Sequence, residues 1–111
     1  MFEANVSHVN QVAVVEARGR IDSGTAARFG AALMGAIDGG AERIVLDLGG
    51  VDYMSSAGLR EIVSALKKVR KMQGDIRLAE PAARVWEVLE MAGLDTFMQI
   101  YPSRAEALRS F

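Results

Sequence analysis

The sequence of 111 residues contains no cysteine, a single histidine and a single tryptophan. Without cysteine the chain forms no disulfide and presents no thiolate, which fits a reducing compartment. No apolar run approaches the ~18 residues that a membrane-spanning helix requires. The first residues, Met1–Asn5, also lack the basic region of a signal peptide. We therefore expect a cytoplasmic protein with no segment inserted in a membrane.

An excess of charge of one sign is also missing. The chain carries 13 basic and 14 acidic side chains, for a formal net charge of -1. Nucleic-acid-binding domains are usually clearly basic, so we expect no direct contact with nucleic acid. A chain of this length generally forms one domain and buries roughly two thirds of its unfolded surface. Residues 1–111 are therefore expected to fold as one domain, without support from metals or disulfides.

Motifs for nucleotide, metal or hydrolytic chemistry are absent as well. There is no G-x-x-x-x-G-K-[ST] loop, and no G-x-G-x-x-G follows a strand. Asp47 and Asp52 could share one end of a sheet, but two carboxylates make a weak metal site. A catalytic triad would have to bring His8 to Ser55 or Ser56, and the G-x-S-x-G elbow is only half met. The sequence therefore predicts no enzyme, no cofactor and no metal.

Apolar periodicity predicts alternating strands and helices along the chain. Strands are predicted at 3–8, 11–18, 43–48, 75–79 and 97–101. Helices are predicted from an Asp22-Ser23 cap to about Asp38, after Ser55-Ser56, from Pro81 to Gly93, and after Ser103. Such alternation indicates an α/β fold with a mostly parallel mixed sheet of about five strands and about four helices.

Glycines and charges mark the expected ends of these elements. Gly39-Gly40 is expected to end the first helix and Gly49-Gly50 to form a turn. Gly74 is expected at the C′ position of the second helix. The basic run Lys67–Lys71 suits the negative end of that helix, and binding of an acidic partner is the minority interpretation. The third helix is expected to bury Val85, Val88, Leu89 and Ala92.

The most informative segment is Met54-Ser55-Ser56-Ala57-Gly58-Leu59, where two hydroxyls separate an apolar strand from an amphipathic helix. Serine at a helix start most often serves as its cap. Binding sites of open α/β sheets also form outside the carboxyl ends of the strands. Both interpretations apply to this segment.

The sequence resembles the STAS domain family, the fold of the bacterial anti-sigma factor antagonists. The family's signature of apolar, Asp, Ser, Ser/Thr, Gly and Leu is matched by Val51-Asp52-Tyr53-Met54-Ser55-Ser56-Ala57-Gly58-Leu59. Its Gly-x-Leu/Ile-Asp segment is matched by Gly19-Arg20-Ile21-Asp22-Ser23-Gly24-Thr25-Ala26. Asp47 fits the family's strand that ends in Asp-Leu. With the order of elements, the resemblance covers essentially the whole chain.

The resemblance implies a switch that is not an enzyme. In the family, the unphosphorylated antagonist binds an anti-sigma factor, usually a serine kinase, and so frees the sigma factor. The kinase then phosphorylates the antagonist, and a serine phosphatase resets it. Alignment on Gly58-Leu59 makes Ser56 the phosphoacceptor, with Ser55 as the alternative. The implied partner-binding residues are Asp22, Ser23, Thr25, Tyr53, Met54, Ser55, Ser56, Ala57, Gly58 and Leu59.

Two positions depart from the family pattern. Ser55 stands where Asp is usual, and Ala57 stands where Ser or Thr is common. These departures leave open whether Ser55 competes as acceptor and whether binding has become constitutive. A second function is also open, namely a STAS-like cytoplasmic subunit of a lipid-transport ATPase system. If Ser56 is phosphorylated, we expect the charge to act on the partner interface rather than to unfold the helix.

Overall fold

The computed structural model describes residues 1–111. Its five strands form one sheet in the order of the chain: β1 (Phe2–Val9), β2 (Val12–Ile21), β3 (Arg43–Met54), β4 (Asp75–Ala79) and β5 (Ile100–Tyr101). The helices are α1 (Ala26–Asp38), α2 (Ser56–Lys71), α3 (Ala83–Met91) and α4 (Arg104–Arg109). β1 runs antiparallel to β2, and the other pairs are parallel. The predicted α/β fold with a mixed, mostly parallel sheet is confirmed.

The two faces of the sheet are covered by different helices. The larger core lies under α1, α2 and α3, where the predicted stripes of α1 and α2 meet the sheet. Its helical members include Phe29, Leu33, Ile37, Ile62, Leu66, Val69, Val85 and Leu89. A smaller cluster under α4 contains Val12, Val14, Val45, Ala79 and Ala107. Because β3 is covered on both faces, its residues 44–48 are all buried.

β2 and β3 both run further than the sequence predicts. The strands end at Ile21 and Met54, so Gly49-Gly50 lies within β3 and forms no turn. A Cβ at Gly50 would come 2.8 Å from the side chain of Arg18 on β2. The register between the two strands also shifts between Glu16 and Arg18. Glycine inside a strand often marks such an irregularity or a close approach, and here it marks both.

Three other predicted boundaries also differ from the structure. The N-cap of α1 is Thr25 and not Asp22-Ser23, because the intervening residues form a hydrogen-bonded loop. The first helical residue of α3 is Ala83, so Pro81 precedes the helix and does not open it. The edge strand predicted at 97–101 consists of Ile100–Tyr101 alone. A 3-10 turn over Leu94–Thr96 fills part of that connection.

The third helix also buries less of its predicted stripe. Val85 and Leu89 are buried, Val88 is half-buried and Ala92 is exposed. Ala92 lies beyond the last helical residue, Met91, and therefore leaves the stripe. The prediction extended the helical stripe one residue too far.

The end of α2 differs from the prediction in one residue. The positive φ of 65° belongs to Gln73, and Gly74 lies one residue further on, where its N–H donates to the carbonyl of Val69 at 2.9 Å. Gly74 is required for another reason, since a Cβ there would collide with the carbonyl oxygen of Glu42. By contrast, Gly39-Gly40 ends α1 as predicted, with Gly40 at φ 104°.

Two of the four basic residues in the run at the end of α2 pair with carboxylates of the chain. Lys68 pairs with Asp38 at 2.7 Å, and Arg70 pairs with Asp75 at 3.2 Å. The run therefore ties α2 to its neighbours and matches the helix dipole. No helix of the protein has the length and apolar character needed to cross a membrane.

Candidate functional site

The ends of β2 and β3 bring the two sequence motifs side by side. Arg20 is paired with Tyr53, and Ile21 with Met54, at the carboxyl ends of these parallel strands. One residue later, the N–H of Ser55 donates to the carbonyl of Ile21 at 2.8 Å. The loop between β2 and α1 therefore lies beside the first turn of α2, outside the carboxyl ends of the strands.

Ser55 is the N-cap of α2. Its backbone is extended, with φ -90° and ψ 170°, and its hydroxyl oxygen accepts the N–H of Gly58 at 3.4 Å. The side chain is half-buried. The sequence is compatible with either serine as the N-cap of α2, and in the structure the N-cap is Ser55. A separation of 3.4 Å is long for a hydrogen bond, so the cap is a weak one.

Ser56 is the first residue of α2 and is exposed. Its hydroxyl makes no hydrogen bond with any group of the chain, whereas that of its neighbour Ser55 is engaged with Gly58. A free hydroxyl at the start of a helix is accessible to another protein. The two serines therefore have different roles, Ser55 within the chain and Ser56 toward the outside.

Gly58 holds the start of α2 against the sheet. A Cβ at this position would lie 2.5 Å from Sδ of Met54 and 2.6 Å from Cγ2 of Ile21. Met54 and Ile21 are both buried. Only glycine allows α2 to approach the ends of β2 and β3 this closely, which gives the glycine of the motif a steric reason.

The loop after β2 is organised around Asp22 and Thr25. Oδ1 of Asp22 accepts the N–H groups of Gly24 at 2.9 Å and Thr25 at 3.2 Å, and Oδ2 accepts Nε of Arg20 at 3.0 Å. The hydroxyl of Thr25 donates to the carbonyl of Arg20 at 2.8 Å and accepts the N–H of Asp22 at 2.9 Å. Desolvation alone would raise the pKa of Asp22, but the hydrogen bonds from Gly24, Arg20 and Thr25 outweigh it and lower that pKa.

Arg20 is a member of the site that the sequence analysis did not single out. Its guanidinium lies 4.0 Å from the ring centroid of Tyr53, in addition to its ion pair with Asp22. Tyr53 is 41% exposed. The cation–π contact therefore joins the β2 loop to the end of β3 on the outer surface. The only sequence-level hint is the position of Arg20 inside the motif Gly19–Ala26.

The predicted partner-binding residues fall into two groups by burial. Eight of the ten predicted residues are exposed or half-buried at this end of the sheet: Asp22, Ser23, Thr25, Tyr53, Ser55, Ser56, Ala57 and Leu59. Met54 and Gly58 are buried beneath them. We call the eight accessible residues, together with Arg20, the serine face.

Asp47 does not belong to the serine face. Its carboxylate is buried, accepts Nε and Nη2 of Arg104 on α4 at 2.8 and 2.7 Å, and accepts the N–H of Gly49 at 2.9 Å. The hydrogen bond with Asp47 raises the pKa of Arg104, desolvation lowers it, and the charges of Asp47, Glu16 and Glu80 raise it further. Asp47 therefore anchors α4 to the sheet. Nowhere in the protein do three or more histidine or acidic side chains form a cluster that could hold a metal ion.

His8 lies at the opposite end of the sheet from the serines. It is paired with Ala13 near the start of β2, whereas Ser55 contacts Ile21 at the end of that strand. The strand between these positions separates the imidazole from both hydroxyls. A triad of His8 with Ser55 or Ser56 is therefore not formed.

Comparison with known proteins gives a consistent result. Residues 3–107 match the STAS domain family. "Putative anti-sigma factor antagonist BtrV" of Bordetella bronchiseptica is 38% identical over 94 residues, which cover 85% of this chain and 81% of that protein. The chain is also similar to the crystal structure of an anti-sigma factor antagonist from Mycobacterium paratuberculosis, with a TM-score of 0.93, 24% identity and coverage of 99% and 93%.

A second similar structure is that of the anti-sigma factor antagonist SpoIIAA in its unphosphorylated form. Its TM-score is 0.81 at 21% identity, and the match covers 96% of this chain and 93% of SpoIIAA. At this level of identity the two solved structures establish the fold alone, whereas the family match covers nearly the whole sequence. The chain belongs to the STAS domain family.

Proposed function

We propose that the protein is an anti-sigma factor antagonist, which binds an anti-sigma factor with serine kinase activity through the serine face and is released when Ser56 is phosphorylated. The observation that carries the proposal is the exposed, unbonded hydroxyl of Ser56 at the start of α2, beside the loop of Asp22–Thr25. The similarity to a relative named as an antagonist supports it. Such a protein acts in the cytoplasm, with its kinase and a serine phosphatase as partners.

Ser56 is a better acceptor than Ser55 for a structural reason. The oxygen of Ser55 is half-buried and caps α2, so phosphorylation there would cost the contact with Gly58. In the proposed reaction, Oγ of Ser56 attacks the γ-phosphorus of ATP. The new O–P bond forms as the bond to ADP breaks, and the hydroxyl proton passes to a base of the kinase. Hydrolysis by the phosphatase returns the hydroxyl and inorganic phosphate.

The switch needs no large change in this protein. A phosphoserine adds about -1.5 to -2 charges, and a helix N-terminus tolerates an anion because its free N–H groups and dipole favour negative charge. Facing a partner, the same charge is unfavourable wherever it meets acidic or desolvated groups. Repulsion of that kind costs several kcal/mol, and ~1.4 kcal/mol already changes an affinity tenfold. Phosphorylation therefore acts between the two proteins.

The test is phosphorylation by a cognate anti-sigma kinase, followed by mapping of the phosphate by mass spectrometry. We expect phosphate on Ser56, its loss in Ser56→Ala, and its retention in the matched variant Ser55→Ala. A kinase that binds this protein and leaves Ser56 unmodified would overturn the proposal.

The charge-mimicking variant Ser56→Asp tests the release step. Its affinity for the kinase should fall at least tenfold, while its thermal midpoint stays close to that of the wild type. Unchanged affinity would overturn release by charge.

The alternative function, a subunit of a lipid-transport ATPase system, is not favoured, since curated relatives carry the name of anti-sigma antagonists.

A further inference from the structure

Arg60 lies four residues after Ser56, one turn further along α2. Side chains at this spacing are neighbours on a helix surface, with Cβ atoms about 5–6 Å apart. Arg60 is exposed and lines an apolar groove with Leu59, Val63 and Phe97. Its guanidinium takes no part in the ion pairs, hydrogen bonds or cation–π contacts of the protein. Arg60 is thus a cation without a partner, beside a hydroxyl without a partner.

Other charged groups near Ser56 are engaged elsewhere or carry the wrong sign. Arg20 is held by Asp22 at 3.0 Å and by the ring of Tyr53. Glu61, next to Arg60, is turned toward α1, since a Cβ at Gly30 would collide with its carboxylate. Asp52 is an exposed carboxylate near the end of β3. The first turn of α2 contains no acidic residue.

We propose that Arg60 is a positioning residue for the phosphorylated state, in which its guanidinium pairs with the phosphate on Ser56. The planar fork of arginine matches two phosphate oxygens, and charge-assisted bonds of this kind are the stronger ones. The pair keeps the phosphate in its dianionic form and directs it along α2, toward the groove that begins at Leu59. This inference rests on the proposed phosphorylation of Ser56.

The test is a ³¹P NMR titration of protein in which phosphoserine has been installed at position 56 by codon suppression, without any kinase. We expect the second pKa of the phosphate to be about 0.3–0.5 units lower in the wild type than in Arg60→Gln, a change of about twofold to threefold in the protonation equilibrium. Arg60→Lys should give an intermediate value. Lys67→Gln, on the same helix but seven residues from Arg60, should match the wild type.

Equal titration curves for the wild type and Arg60→Gln would overturn the role of Arg60. That result would leave the kinase reaction at Ser56 intact, because the phosphoserine is incorporated during translation and no kinase takes part in the experiment. Absence of phosphate on Ser56 after incubation with the kinase would instead overturn the proposed function. A shift of equal size in Lys67→Gln would also count against the proposal, since it would reflect the overall charge rather than a pair.

Discussion

Gly58 packs so closely on Met54 that a Cβ at this position would lie 2.5 Å from Sδ. The contact is made at the point where α2 leaves the sheet, directly beneath the two serines. The glycine of the motif therefore sets the distance between the helix and the strands that carry the site. A side chain at this position has to be accommodated by movement of α2.

Gly58→Ala should destabilise the protein by about 1–3 kcal/mol, the usual cost of overpacking. It should also weaken partner binding, because displacement of α2 moves both serines. Unfolding in urea and the affinity for the kinase measure the two effects. The matched control is Gly35→Ala in α1, where a Cβ meets nothing within 4 Å. That variant should be more stable by about 0.5–1 kcal/mol, and equal effects of the two substitutions would contradict the steric account.

Ser55→Ala and Ser56→Ala should separate the two hydroxyls. Loss of the Ser55 cap should lower the free energy of unfolding by about 0.5–1 kcal/mol, at the low end for a cap because the bond to Gly58 is 3.4 Å long. Ser56→Ala should change it by less than about 0.5 kcal/mol, as for other exposed positions without partners. Thermal or urea unfolding of both variants measures these two changes in the free energy of unfolding. A larger loss in Ser56→Ala would show that Ser56 is the structural residue.

Most elements of the fold are predictable from the sequence because α1 and α2 carry clear apolar stripes and β3 carries a continuous apolar run. The glycines were harder to interpret. Local patterns predict a turn at Gly49-Gly50 and a cap at Gly74, yet these glycines occur where another part of the chain approaches closely: the side chain of Arg18 for Gly50, and the carbonyl of Glu42 for Gly74. Such approaches depend on tertiary structure, which local patterns do not contain.

The candidate site shows the same limit. Both motifs of the serine face were predicted, and the structure places them side by side through the pairing of Ile21 with Met54. The contribution of Arg20 was missed because its stacking on Tyr53 follows from the irregular register of β2 and β3. Asp47 fits the family's strand that ends in Asp-Leu, but the sequence gives no sign of its partner, Arg104, which is 57 residues away and linked to it by no periodicity.

Arg104→Ala should destabilise the protein by about 2–3 kcal/mol, since it leaves the buried carboxylate of Asp47 without its cation. The matched control is Arg18→Ala, which removes an ion pair with Glu16 whose arginine side chain is 59% exposed. That loss should not exceed about 1 kcal/mol. Urea unfolding measures both values, and hydrogen exchange should show early loss of protection in α4 for Arg104→Ala alone. Similar losses in both variants would argue against Asp47–Arg104 as the anchor.

Asp22→Asn should reveal how the charge of Asp22 contributes to stability. Asparagine still accepts the N–H groups of Gly24 and Thr25 through Oδ1, but its amide NH2 group replaces Oδ2, so the substitution removes both the charge and the acceptor that face Nε of Arg20. The folded state lowers the pKa of Asp22 below its ordinary value of 3.8. Ionised Asp22 therefore stabilises the fold above that ordinary value, and the contribution is lost as the pH falls through the lower, folded pKa.

The wild type should thus be more stable than Asp22→Asn at pH 6, and the difference should shrink as the pH is lowered below 3.8. Urea unfolding of both proteins at a series of pH values measures this difference directly. The contributions of most other titrating groups cancel in the difference because both proteins contain them. If the difference in the free energy of unfolding stays constant from pH 6 to the lowest pH measured, the ionisation of Asp22 makes no contribution to stability. The loop of Asp22–Thr25 would then be held by its backbone hydrogen bonds, without help from the ion pair with Arg20.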